Sequence, residues 1–110
     1  MEPRLKTALW VQALIRHCAL AARAAVVLRK GDPDSGGVVL VLRAREGLVP
    51  LVQARDGQGR PAWLRALGET PADEAALDAY VARAVGRDPD LWVVEIEAPD
   101  GTPPFETRIV

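Results

Sequence analysis

This 110-residue chain holds one cysteine, one histidine, one serine and two lysines, and each scarcity closes off a class of chemistry. Cys18 has no second thiol to pair with, so an intrachain disulfide is impossible and a reducing compartment is expected. His17 is the only histidine, so no further histidine or cysteine is available to complete a zinc site. His17 and Cys18 are neighbours on an expected helix and project about 100° apart, so they do not face each other as base and nucleophile. His17 keeps only the role of a lone general acid or base, and Cys18 reads as a small buried hydrophobe. Ser35 sits in a Gly-rich turn without a strand-to-helix elbow, which argues against a serine hydrolase.

A long apolar run is also missing. Residues 8–22 come nearest, but Gln12, Arg16 and His17 interrupt them. A membrane span needs about 20 apolar residues, and a secretory segment needs an unbroken core. Although Ala19-Leu20-Ala21 has the form of a cleavage site, no targeting segment is read and a cytoplasmic protein is expected. There is no charge excess either: the net charge of −1 argues against a general nucleic-acid or membrane-surface role. The basic residues are arginine except for Lys6 and Lys30, a bias that suits forked pairing but is better explained by a GC-rich genome.

What remains is ordinary globular material. Hydrophobic residues make up 49% of the chain, enough for one real core. One domain is expected over residues 1–98, with an extended Pro-rich C-terminal tail over 99–110. Residues 4–23 predict a helix with Pro3 just ahead of it. It is apolar around most of its circumference, which calls for burial on more than one side, against a sheet and a second subunit. Strands are expected over 24–30, 38–45, 48–55 and 61–67. The first two pair as a hairpin across Gly31-Asp32-Pro33-Asp34-Ser35-Gly36-Gly37, and Pro50 marks an edge position or a bulge. Thr70-Pro71-Ala72-Asp73 starts a second helix that runs to about Val85, where Gly86 stops it. A last strand covers 91–97. The order α-β-β-β-β-α-β predicts an α+β fold, an antiparallel sheet of four or five strands with both helices on one face.

Several stretches are distinctive: Pro3-Arg4-Leu5-Lys6-Thr7-Ala8-Leu9-Trp10-Val11, the Val27-Leu28-Arg29-Lys30-Gly31-Asp32 turn, Trp63, and Arg87-Asp88-Pro89-Asp90-Leu91-Trp92-Val93-Val94-Glu95-Ile96-Glu97. In these motifs, their order and its length, the chain resembles an uncharacterised family of short alphaproteobacterial proteins, domain of unknown function family 1491. The resemblance implies an origin in that bacterial class. It implies no activity and brings no catalytic residues.

Strand alternation places Arg43 with Arg45, Gln53 with Arg55, Trp63 with Arg65, and Glu95 with Glu97 on shared faces. If those faces coincide, one side of the sheet carries four Arg, two Glu and a Trp, continued by Val39, Val41 and Leu51. The other side then holds Val38, Leu40, Leu42, Val52, Leu64, Trp92, Val94 and Ile96 against the helices. Such a face could bind phosphates through Arg43, Arg45, Arg55 and Arg65 and stack a base on Trp63. Glu95 and Glu97 would repel phosphate, which favours a solvated face of Arg–Glu pairs. A dimer interface burying Trp63 and the arginine stems is favoured over nucleic acid.

Asp32, Asp34, Asp88 and Asp90 flank prolines as turn residues and lack calcium-loop spacing. The Gly31–Gly37 stretch lacks the Lys-Ser/Thr ending of a phosphate loop. No catalytic residue, metal ligand or cofactor is assigned. The preferred reading is a small non-catalytic interaction or accessory module acting as a homodimer, or with another protein, away from membranes. The alternative is a nucleic-acid or anion-binding module using Arg43, Arg45, Arg55, Trp63 and Arg65. More distant is a small enzyme acting on a nucleotide or metabolite, with an arginine clamp and an acid such as Asp56.

Overall fold

A computed structural model describes residues 5–110, so Pro3 and the first residue of the expected helix, Arg4, lie outside the described residues. The elements are α1 (Thr7–Leu20), β1 (Ala25–Arg29), β2 (Val38–Ala44), β3 (Gly47–Arg55), β4 (Pro61–Arg65), α2 (Glu74–Arg87) and β5 (Trp92–Glu97). Their order is the expected one, and the fold class is α+β. The strands form one sheet in the order β1-β5-β2-β3-β4. Three of its pairings are antiparallel, and β2 with β5 is parallel. The sheet is therefore mixed where an all-antiparallel one was expected. The chain leaves β4, crosses the sheet as α2 and re-enters beside β2 in the same direction, the connection a parallel pair needs.

The expected hairpin of the first two strands does not form, because β5 lies between them. The Gly31–Gly37 connection instead bridges a gap one strand wide and holds the strand that fills it. The Asp32 amide donates to Asp90 O (2.9 Å), the Trp92 indole Nε1 donates to Asp32 O (2.7 Å), and the Trp92 amide donates to Gly37 O (2.8 Å). The same loop seats α1. Lys6 offers no side-chain cap, and the first helical amides donate to Asp34 O and Pro33 O while Thr7 Oγ1 donates to Gly36 O. A Cβ on Gly31 would lie 2.0 Å from Asp90 O, so glycine here serves close backbone approach.

The helices lie on opposite faces of the sheet, not on one. Val11, Leu14 and Cys18 of α1 bury against Val38, Leu40, Leu42, Leu51, Trp92, Val94 and Ile96. Leu77 and Ala84 of α2 bury against Val39, Val41, Leu48 and Val93. The central strands are thus apolar on both sides, and Val39 and Val41 require a cover of their own. Cys18 is the buried small hydrophobe expected of it, and burial pushes its thiol pKa up. The α1 helix covers the core along one stripe only: Leu9 and Leu20 stay exposed, so the second side expected to be buried is left open among the described residues.

Pro50 is neither on an edge strand nor in a bulge. It pairs with Val41 in an interior strand. Its carbonyl accepts from the Ala66 amide, so its nitrogen also points to the β4 side, just beyond the last residue of that strand, and the missing N–H costs one bond at the end of the β3–β4 ladder. The sheet's bulge lies in β1, between Val27 and Arg29. The second helix starts later than expected, with Asp73 as its cap accepting from the Ala76 amide (2.8 Å). Residues just before it bridge to β3 instead, Ala72 exchanging both backbone bonds with Leu48. Gly86 lies inside α2, which ends at Arg87.

Candidate functional site

The five residues expected to form one arginine–tryptophan face do not share a face. Ala44 pairs with Gly47 across the two-residue link Arg45-Glu46, so odd-numbered residues of β2 stand beside even-numbered residues of β3. Arg43 stands opposite Leu48, and Leu40 opposite Leu51. Through the β3–β4 register, Gln53 faces Trp63 and Leu51 faces Arg65. Arg43 accordingly lies on the α2 face, while Arg55, Trp63 and Arg65 belong to the α1 face. A one-residue change of register moves a whole strand's side chains to the other side. Leu51 and Val52 exchange the faces expected of them for the same reason, and Leu64, opposite Val52, stays half exposed on the α2 face.

The side chains of Arg43, Arg55 and Trp63 are also engaged. The Arg43 Nη2 donates to Glu95 (2.8 Å) and Glu74 (3.0 Å), and these two hydrogen bonds raise its already high pKa. Arg45 lies in the exposed hairpin turn, its amide donating to Pro99 O (3.2 Å). A groove of about 570 Å³ runs beside them, lined among others by Glu46, Leu48, Asp73 and Glu74. Its two arginines face three carboxylates, so it has no net attraction for an anion. Arg55, at the exposed end of β3, donates to Gly59 O (3.1 Å). Trp63 is 7% exposed and belongs to the core, its ring centroid 6.1 Å from that of Trp10, so it offers no free stacking face. Arg65 is half-buried on the outermost strand. Among the described residues no three His, Cys, Asp or Glu gather as a metal site. Asp32 instead accepts from the Asp34 and Ser35 amides, and Asp88 from that of Asp90.

The most organised polar cluster centres on Asp56, the acid named for the small-enzyme alternative, with partners Arg60 and Arg108 that sequence reasoning did not supply. The Asp56 carboxylate is 6% exposed and accepts from the amides of Gln58 (2.8 Å) and Arg60 (3.0 Å). It also pairs with Arg60 Nε (3.1 Å) and Arg108 Nε (3.3 Å). The Arg60 amide is the largest of the contacts that hold its pKa below the usual carboxylate range. All its lone pairs are committed, which removes it as a free acid or base. The Asp56–Gly59 turn was legible in sequence, whereas the arrival of Arg108 was not, because no local pattern links residues 52 positions apart.

Arg108 arrives with the segment after Pro99, which was expected to be an extended tail. It lies along the outer edge of β4: the Trp63 amide donates to Arg108 O and the Val110 amide to Trp63 O (both 2.8 Å), a parallel bridge at Ile109. Phe105 meets His17 edge-on, with centroids 6.1 Å apart. One sheet edge is therefore covered, and among the described residues nothing pairs with the outer edge of β1. No described helix is long and apolar enough to cross a membrane.

A family model described as "Protein of unknown function (DUF1491)" matches residues 5–106. No curated protein matches the chain. Among solved structures, the crystal structure of a DUF1491 family protein from Caulobacter crescentus is similar, with 36% identity over 97% of this chain and 100% of that one, and a TM-score of 0.82. An NMR structure of a DUF1491 family protein from that organism gives 37% identity, 99% coverage of both chains and a TM-score of 0.81. A solution structure of a protein from Agrobacterium tumefaciens shares 26% identity, over 94% of this chain and 93% of that one, with a TM-score of 0.75.

Proposed function

The chain belongs to the DUF1491 family, proteins of unknown function, and we propose that it works as a small non-catalytic interaction module in the cytoplasm, pairing with a second copy through α1 and the β1 edge. The observation that carries this reading is where the exposed apolar side chains lie. Five of the seven large exposed hydrophobics, Leu5, Leu9, Leu20, Val26 and Leu28, belong to α1, the residue leading into it, and β1. Leu5, Leu9 and Leu20 stand on the α1 side, whereas Val26, opposite Glu95, and Leu28 point to the other face, so the two groups flank the β1 edge from both sides of the sheet. Exposed apolar surface gathered in one region marks an interaction site, whereas scattered residues do not.

The β1 edge, unpaired among the described residues, supplies the geometry. Ala24 O accepts from the Glu97 amide, so its backbone groups point inward to β5, and those of Ala25 and Val27 point outward. An antiparallel pair of β1 strands about Val27 brings Val26 of one copy against Leu28 of the other and sets the two α1 helices side by side. That is an isologous, closed arrangement. The titratable groups argue for a non-catalytic role, because Arg43 and Asp56 are held by fixed partners. The test is sedimentation equilibrium of the wild type and of a variant carrying Leu20→Glu and Val26→Lys. The wild type should be a dimer and the variant a monomer with an unchanged circular-dichroism spectrum. A wild type that remains monomeric at the highest attainable concentration sinks the proposal.

A further inference from the structure

The segment on the β4 edge is held by few contacts: two backbone bonds at Trp63, the Arg108–Asp56 ion pair, and the half-buried side chains of Phe105 and Ile109. We propose that this edge is a strand-accepting groove for an extended peptide of a partner protein, and that the chain's own Phe105–Val110 occupies it as an internal stand-in. The bound segment states the chemistry of the partner: an aromatic residue, a basic residue three positions on, and a branched aliphatic residue directly after it. The aromatic residue meets His17 at its edge, the cation reaches the Asp56 carboxylate, and the aliphatic residue, bridged to Trp63, packs against the core cluster. Main-chain bonds at β4 give affinity and the side-chain sites give selectivity, the logic of strand addition to a sheet edge.

A foreign strand fits better than the same segment of a second copy. The connection leading to the groove is relaxed, with Gly101 donating to Ala98 O (2.8 Å) and the Thr102 amide to Asp100 Oδ1 (3.2 Å). A second copy would offer the same contacts without the tethered segment's local concentration, which is about millimolar for a short linker. A foreign strand can add contacts. Backbone groups alternate along a strand, so Pro61 O and the Arg65 amide point the same way as those of Trp63. Among the described residues, the internal segment bonds β4 only at Trp63.

The test uses the full chain and a fluorescein-labelled peptide of the sequence Pro-Phe-Glu-Thr-Arg-Ile-Val. Arg108→Glu places a carboxylate beside Asp56 and weakens the internal competitor. This variant should bind the peptide about tenfold more tightly than the wild type does, with the Trp63 amide resonance shifting on binding. A peptide with glutamate in place of its arginine should bind neither chain. Hydrogen exchange gives a second readout: the Val110 amide should exchange far faster than the amides of Leu40 and Val94. Three results overturn the proposal. One is absence of peptide binding to an Arg108→Glu chain whose core resonances match the wild type. Another is Val110 exchange as slow as that of the core. The third is a wild-type dimer abolished by Arg108→Glu, which would make a second copy the occupant. Failure here leaves pairing through α1 and β1 untouched, because that surface lies at the other edge of the sheet.

Discussion

Replacing Gly31 by alanine tests whether the Gly31–Gly37 loop exists to admit β5 between β1 and β2. The added Cβ would stand 2.0 Å from Asp90 O and 2.7 Å from both Asp90 C and Leu91 C, all backbone atoms that cannot rotate away. The loop must retreat by about 1.5 Å to restore ordinary contact distances near 3.5 Å, which stretches or breaks the Asp32 N–H to Asp90 O bond of 2.9 Å. Overpacking costs about 1–3 kcal/mol, and the lost hydrogen bond costs about 1 kcal/mol more. Gly31→Ala should therefore destabilise the fold by about 3 kcal/mol, and the midpoint of thermal unfolding should fall by about 10–15 °C for a domain of this size. Gly57→Ala is the matched control. Nothing lies within 4 Å of its added Cβ, and neither glycine has left-handed backbone, so this change should be neutral or stabilise by about 0.4–1 kcal/mol through the unfolded chain. Urea denaturation of the three proteins measures both values. A Gly31→Ala variant within about 1 kcal/mol of the wild type would refute the argument.

Two further outcomes follow from the described contacts. Asp73→Ala removes the side-chain oxygen that takes the Ala76 amide at the start of α2 and should lower stability by about 1 kcal/mol in the same urea assay; Asp73→Asn, which keeps an acceptor, should restore most of it. Asp32, Asp56 and Asp100 all have lowered pKa values, caused first by the backbone amides of Ser35, Arg60 and Thr102 respectively. Their stabilising effect is complete above the ordinary carboxylate value of about 4 and is lost as pH falls through the lowered folded-state values. An acid titration followed by amide resonances should therefore show Trp63 and Val110 responding in that window, before the core strands unfold; simultaneous loss of all signals would contradict it.

Much of the architecture was legible in the chain itself. The element order followed from turn residues and hydrophobic period, and the burial of Val38, Leu40, Leu42, Trp92, Val94 and Ile96 on one face followed from alternation within single strands. The likeness of Trp92–Glu97 and its flanks to DUF1491 proteins was there to read as well. Local pattern carries this information because period and turn chemistry act over a few residues. Four features were decided only by tertiary structure: β5 in the gap between β1 and β2, the helices on opposite faces, Arg43 separated from Arg55, Trp63 and Arg65, and Arg108 against Asp56. Each depends on register or pairing between distant segments. A two-residue link between β2 and β3 sets which side chains share a face, and strand order is chosen by the total apolar surface buried on both sides of the sheet, a quantity that no single segment contains.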